Sequence, residues 1–222
     1  MSEKPTLGVR EPVGEVRAVA LVLHGGRVKS RVPASPWQPA ALRMIPFAWV
    51  LQRAGRDQGL AVCSLGYRLR GWNGAEASPV PDARWALDRV RERYGEVPVV
   101  LVGHSMGART ALRVADDPHV RGVVALAPWL PDGEPAGAVA GREILIMHGA
   151  NDRTTEAAAS RAYAKSAPAD RIALIELRDE GHAMLRRAGV WHRLTTGFVL
   201  GLLGFTTMPK VVEVAWSRAL VI

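Results

Sequence analysis

The 222-residue sequence is poor in cysteine and lacks any long apolar run. Cys63 is the only cysteine, so no internal disulfide can form. The longest apolar stretch near the C-terminus, residues 198–205, is far shorter than the roughly 20 residues that a membrane-spanning helix needs. Residues 1–16 contain no apolar core typical of a signal peptide. Together these absences predict a protein without a membrane span, located in the reducing cytoplasm.

Acidic residues are outnumbered by basic ones, 21 against 29, which gives a formal net charge of +8. Such an excess can attract nucleic acid, anionic membranes or anionic small molecules. The sequence contains no extended basic block, no zinc-finger spacing and no aromatic RNA-binding motif, so we expect no nucleic-acid partner. It also contains no metal-ligand spacing and no Gly-rich phosphate loop followed by lysine, so we expect no metal and no cofactor.

Apolar runs bounded by turn residues recur along the chain and predict buried β-strands. They cover residues 16–24, 60–65, 97–102, 120–127, 143–148 and 171–177. Helical patterns lie between them, at residues 37–55, 81–94, 105–115, 155–166 and 188–203. This alternation predicts a doubly wound α/β fold, with a mostly parallel sheet and helices on both faces. Residues 128–141 are predicted to be a loop, and residues 206–222 a C-terminal extension with a short packed helix.

A G-x-S-x-G motif, Gly103 to Gly107, follows an apolar strand and precedes a helix. In this context the motif predicts a nucleophile elbow, a sharp turn that raises the Ser105 hydroxyl above the sheet. Small residues are needed on both sides because the turn brings backbone segments close together. The N–H of Met106, at the start of the helix, is then placed to stabilise an oxyanion. We interpret His104, the variable position of the motif, as structural.

A serine hydroxyl needs a base to take its proton, and the base needs a third group to orient it. For an elbow serine these groups follow in the chain order acid, then histidine. Asp152 comes a few residues after a predicted strand and is our candidate acid. The competing acid is Asp132, and the alternative role of Asp152 is to cap the next helix, although Thr154 could cap it instead.

His182 lies in the loop after the last predicted strand, behind a glycine, and is our candidate base. The other histidines fit less well. His119 lies before a strand, His192 lies within a helix, and His148 ends a strand and is predicted to be packed.

The first long strand ends in Leu-His-Gly-Gly-Arg, residues 23–27. A glycine pair lets backbone N–H groups approach a bound oxygen closely. We therefore predict the N–H of Gly26 as the second oxyanion donor, with that of Arg27 as the alternative, while His24 braces the loop. Removing one such donor typically lowers turnover by about 100- to 1000-fold.

Four segments together resemble the α/β-hydrolase superfamily: LVLHGG at 21–26, VGHSMG at 102–107, MHGANDRTT at 147–155 and EGHAM at 180–184. The chain is most similar to small, compact members such as dienelactone-hydrolase-like and esterase-like proteins. The resemblance implies one α/β-hydrolase domain over residues 1–222 and a triad of Ser105, Asp152 and His182. Two features depart from many relatives. Ala108 stands where they often have glycine, and only about fifteen residues occupy the usual position of a helical lid, which implies a minimal lid.

Cationic side chains are frequent in the loops at the predicted site edge. They are Arg27, Lys29, Arg31, Arg68, Arg70, Arg153, Arg186 and Arg187. They predict a preference for an anionic substrate, such as one with a carboxylate, unless they are solvated or paired with Glu76, Asp132 and Glu134. Tryptophans 37, 72 and 129 also fall near this edge, and Trp129 is our candidate for the wall of an apolar pocket.

The sequence therefore predicts a serine hydrolase that cleaves a small carboxylic ester or thioester through an acyl-enzyme on Ser105. The alternatives are an acyltransferase or thioesterase acting on a carrier-bound chain, or a non-catalytic ligand-binding protein with this fold. A small-molecule substrate is the only partner that the sequence indicates, and the sequence does not determine the oligomeric state.

Overall fold

Eight β-strands form one sheet in the computed structural model, which describes residues 4–222. The strands are β1 (Thr6–Arg10), β2 (Ala18–Leu23), β3 (Leu60–Gly66), β4 (Val99–His104), β5 (Val120–Leu126), β6 (Glu143–Gly149), β7 (Arg171–Leu177) and β8 (Leu220–Val221). Their order across the sheet is β1-β3-β2-β4-β5-β6-β7-β8. Only β1 is antiparallel to its neighbour, so the carboxyl ends of the other strands meet at one edge.

Seven α-helices accompany the sheet in the described residues. They are α1 (Pro39–Leu42), α2 (Ile45–Gly55), α3 (Pro79–Tyr94), α4 (Met106–Arg113), α5 (Ala157–Ser166), α6 (Ala188–Leu202) and α7 (Lys210–Ser217). Successive strand residues face opposite sides, so each central strand contributes to two cores. Leu101 packs in a core with side chains of α3, α4 and α5, and Val100 packs in a core with α2, α6 and α7. The predicted doubly wound α/β fold is confirmed.

All six predicted strands are present, and two further strands were not predicted. The first, β1, is short and partly exposed, and β8 has only two residues, so neither produces a clear apolar run. The predicted helix over residues 37–55 is in fact two helices, α1 and α2, each with a proline in its first turn. Proline lacks an N–H and fits best at such a helix start.

The predicted C-terminal extension packs on the sheet. Helix α7 lies against β7, and β8 adds a parallel strand to the sheet edge beside it. The predicted short packed helix is therefore present.

The segment between β5 and β6 carries only one short 3-10 turn, Gly137–Val139. The minimal lid expected at this position is confirmed. Within residues 4–222, none of the helices has the length and apolar character needed to cross a membrane.

Candidate active site

Ser105 lies at the turn between β4 and α4 with a strained backbone. Its φ is 55° and its ψ is −116°, a conformation that a residue with a side chain rarely adopts and that costs about 1–3 kcal/mol. The turn is held by backbone hydrogen bonds: the Ser105 N–H donates to Leu126 O at 2.9 Å, and the Arg109 N–H donates to Ser105 O at 3.1 Å. Contacts with the surrounding fold thus hold Ser105 in a backbone conformation that a serine would not adopt alone.

The two glycines of the motif are required by close backbone contacts. A methyl group on Gly107 would collide with the carbonyls of Leu23 and His24, and one on Gly103 would collide with the Gly107 backbone. The elbow therefore packs directly onto the end of β2.

The loop after β2 lies beside the candidate nucleophile. A Cβ placed on Gly25 would be 3.4 Å from the Ser105 Cβ. The Arg27 N–H donates to Arg70 O at 2.8 Å, so the alternative oxyanion donor is already engaged. Gly26 remains our predicted donor, because no acceptor in the described part of the chain takes its N–H. Met106 is the first residue of α4, where N–H groups have no partner within the helix.

The candidate acid and base are joined directly. Nδ1 of His182 donates to Oδ2 of Asp152 at 2.8 Å, and the Asp152 side chain is fully buried. The same oxygen accepts the Thr155 hydroxyl at 2.8 Å, while Oδ1 accepts the N–H groups of Thr154 at 2.7 Å and Thr155 at 3.0 Å.

Two opposing effects act on the pKa of Asp152. Burial would raise the pKa, but hydrogen bonds from His148, His182, Thr154 and Thr155 outweigh burial and hold the pKa well below its usual range. The carboxylate is therefore ionised at neutral pH and can stabilise an imidazolium on His182.

The structure places the alternatives for the acid as follows. Asp152 closes the turn before α5, but the residue that precedes α5 is Glu156, so Asp152 does not cap this helix. Asp132 is exposed and lines a small cavity beside Tyr163 on α5.

Two buried histidines support the candidate acid and base. Nε2 of His148 lies 3.4 Å from Oδ2 of Asp152, and its Nδ1 accepts the Ser160 hydroxyl at 2.8 Å. Nε2 of His104 donates to the backbone carbonyl of His182 at 3.0 Å, and the two rings lie 4.7 Å apart. Burial lowers the pKa of His104 to about 3, and the nearby charges of His182 and Arg43 act in the same direction. The His104 ring is therefore neutral, and its hydrogen bond helps to position the loop that carries His182.

The remaining histidines lie elsewhere. His119 pairs with Glu96 and Asp117, and the ring of His192 meets Phe47 edge to face. Within the described residues, no hydrogen bond joins Ser105 Oγ to His182. Such bonds often tighten only when substrate is bound.

Trp129 lies against a buried arginine. The guanidinium carbon of Arg109 lies 4.5 Å from the centre of the Trp129 ring and 3.8 Å from that of Trp72. Arg109 also pairs with Glu134 at 2.6 Å, and both side chains are largely buried. The predicted pocket role of Trp129 remains a prediction.

Several site residues escaped the sequence analysis. Thr155 binds both Asp152 and His182, at 2.8 and 3.2 Å, and the Asp-x-x-Thr spacing was the only signal that pointed to it. The ion pair of Arg109 with Glu134 joins helix α4 to the loop after β5. These two residues are far apart in sequence, so no local sequence pattern could predict their contact.

The fold has counterparts among known proteins. A family model described as "Alpha/beta hydrolase family" matches residues 20–145, more than half of the chain. A search of curated protein sequences gives no match.

Solved structures share the fold at low sequence identity. An alpha-beta serine hydrolase homologue from Coxiella burnetii is 18% identical with a TM-score of 0.66, and the match covers 86% of this chain and 90% of that one. Est1E from Butyrivibrio proteoclasticus, solved with ferulic acid, is 13% identical with a TM-score of 0.67, over 90% and 96%. A serine hydrolase without a lid from Xanthomonas campestris is 19% identical with a TM-score of 0.62, over 90% and 88%.

Proposed function

The chain belongs to the alpha/beta hydrolase family, and from this premise we propose that it is a serine hydrolase. Its substrate is a small carboxylic ester or thioester, which it cleaves through an acyl-enzyme on Ser105. The observation that carries the proposal is the 2.8 Å hydrogen bond between buried Asp152 and His182, beside a serine in a strained elbow. The esterase and serine hydrolases among the similar structures support the same reaction class.

The first half of the reaction forms the acyl-enzyme. Ser105 Oγ attacks the carbonyl carbon while His182 Nε2 takes the hydroxyl proton. The electron pair of the carbonyl moves to its oxygen, and the N–H groups of Met106 and Gly26 stabilise that oxyanion. The tetrahedral intermediate then expels the alcohol or thiol, which receives the proton from His182.

The second half of the reaction releases the acid. His182 Nε2 takes a proton from water, whose oxygen attacks the acyl carbon and forms a second oxyanion at the same donors. The bond to Ser105 Oγ breaks, and the proton returns from His182 to that oxygen. Throughout, Asp152 holds Nδ1–H of His182 and stabilises the imidazolium.

Labelling with a fluorophosphonate tests whether Ser105 is activated. We expect one covalent adduct by intact-mass spectrometry on the wild type and none on Ser105→Ala, because only an activated serine attacks phosphorus readily. Ser64→Ala, which changes a serine on β3, is the matched control and should label like the wild type. A folded wild type that takes up no label, or a Ser105→Ala variant that does, contradicts the proposal.

The charge of the substrate is a finer part of the proposal. Arg31 pairs with Glu76, Arg68 with Asp82, and Arg70 with the Gln38 amide, so these cations are engaged. Glu134 pairs with Arg109 and Arg113 rather than with any cation of the site edge. Arg187 donates a hydrogen bond to the backbone carbonyl of Ile222. Among the described residues, the edge cations whose side chains make neither an ion pair nor a hydrogen bond are Arg27, Lys29, Arg153 and Arg186.

We expect esters that bear a carboxylate to be hydrolysed with a higher kcat/KM than neutral esters of the same size. The gain should reach roughly tenfold at low salt and shrink as salt is added, because exposed cations are screened. The measurement compares kcat/KM for both esters in the wild type and in the double variant Arg27→Gln and Arg153→Gln. Equal kcat/KM values for the two esters at low salt would contradict the preference for anionic substrates but not the proposed reaction.

A further inference from the structure

One long segment of the chain carries charge of a single sign. Between Glu15 and Asp57 the sequence has seven cationic residues and no acidic one. The cations are Arg17, Arg27, Lys29, Arg31, Arg43, Arg53 and Arg56. Most of the protein's net charge of +8 therefore originates in less than a fifth of its length.

The same segment contains most of the large apolar side chains that are exposed in the described residues. Ten are exposed in the described residues, and six of these lie between positions 28 and 49. The six are Val28, Val32, Trp37, Leu42, Ile45 and Trp49. Two are tryptophans, with 80% of Trp37 and 61% of Trp49 exposed. A concentration of exposed apolar side chains is typical of an interaction site, whereas single exposed apolar residues are usually scattered.

Four of these residues belong to the region of α1 and α2, and we call Trp37, Leu42, Ile45 and Trp49 the α1–α2 surface. On α2, Ile45, Trp49 and Arg53 follow one another at intervals of four, so they share one side of the helix. The opposite side, with Phe47 and Leu51, is buried in the core.

Cations and an apolar cavity adjoin the α1–α2 surface. The Arg10 guanidinium carbon lies 5.8 Å from the centre of the Trp49 ring. A cavity of about 430 Å³ lies between α2 and strands β1–β3, with Ile45 and Met44 in its walls and Lys4 and Arg10 also lining it. Apolar and basic side chains thus both line this cavity.

We propose that the α1–α2 surface docks on an anionic lipid surface. Exposed tryptophans with basic neighbours are the side chains that bury in the headgroup region of a bilayer, while anionic headgroups attract the cations. A second copy of the chain would bring two cationic segments face to face, which repels. A nucleic acid would match the charge but would leave the apolar side chains in water. The adjoining cavity offers room for the end of one acyl chain.

Vesicle flotation tests the docking in a Ser105→Ala background, so that binding is measured without turnover. We expect this protein to float with phosphatidylcholine vesicles that contain phosphatidylglycerol and to bind pure phosphatidylcholine vesicles weakly. Trp37→Ser with Trp49→Ser should weaken binding at least about 100-fold, because two large apolar side chains no longer bury. Arg10→Gln with Arg53→Gln should weaken binding roughly 30-fold at low salt.

The matched control is Val13→Ser with Val214→Ser, which removes exposed apolar side chains outside the segment and should bind like the parent. Absence of binding to any vesicle, or full binding by the tryptophan variant, would overturn the docking. The proposal would also be overturned if the protein bound a soluble RNA as tightly as the vesicles and the tryptophan substitutions did not weaken that binding. Charge alone would then account for the binding. Circular dichroism checks that each variant is folded, and a separate label on Ser105 in the wild type reports the proposed hydrolase function independently.

Discussion

Replacing Asp152 by asparagine should lower kcat for ester hydrolysis by roughly 10⁴-fold while the protein stays folded. The amide keeps the size of the side chain but loses the charge that faces Nδ1 of His182 at 2.8 Å. Without the carboxylate, His182 is no longer held in the tautomer that leaves Nε2 free to accept a proton. The measurement is the steady-state kcat for p-nitrophenyl acetate, with circular dichroism to confirm folding.

Asp132→Asn provides the matched control, because it makes the same change in the competing acid. We expect its kcat to equal that of the wild type, since Asp132 is exposed and lies beside α5. The result that would reverse the assignment is a large loss in Asp132→Asn with little effect in Asp152→Asn. Adding Asp152→Asn to Ser105→Ala should cause almost no further loss, because residues that act as one unit are not additive.

Glu134→Gln should destabilise the fold by about 3–5 kcal/mol, a large effect for one atom exchanged. The Glu134 side chain is 3% exposed and pairs with Arg109 at 2.6 Å and with Arg113 at 2.7 Å. The Arg109 side chain is 9% exposed and lies over the rings of two tryptophans. Removing the carboxylate charge leaves this guanidinium buried without an anion, and the uncompensated charge carries the cost. Urea unfolding at neutral pH gives the free energy of unfolding of both proteins.

Glu92→Gln serves as the comparison, because Glu92 pairs with Arg89 on the exposed side of α3. Exposed pairs are screened by water, so its effect on the free energy of unfolding should stay below about 1 kcal/mol. Equal effects of the two substitutions would mean that the pair at Glu134 is solvated in solution. A large difference would establish that the short segment between β5 and β6 is fixed to α4 beside the elbow.

Much of this architecture is readable from the sequence because it depends on neighbours along the chain. The alternation of apolar runs with helical patterns predicts the doubly wound sheet, and each central strand is a continuous buried run such as Ala18–Leu23. The elbow is equally local, since strand, serine, flanking glycines and helix are adjacent in sequence. Chain order and position after a strand are enough to nominate Asp152 and His182, whose hydrogen bond the structure contains.

Short edge strands carry too little pattern to be predicted. Strand β1 alternates over only five residues, and β8 pairs through two. They form because the longer strands β3 and β7 would otherwise leave backbone groups unpaired at the sheet edges, which is a property of the assembled sheet. The helix predicted over residues 37–55 is a similar case, because the apolar character of this stretch does not reveal that Trp49 is 61% exposed.

The sequence by itself determined the alternation of six strands with helices, the elbow at Ser105 and the candidates for acid and base. Tertiary structure alone decided which charges are paired, that Thr155 and His148 surround Asp152, and that Arg109 lies against Trp129. The physical reason is distance along the chain. Periodicity and turn chemistry act over a few residues, but a buried ion pair or an exposed tryptophan depends on which remote segment packs beside it.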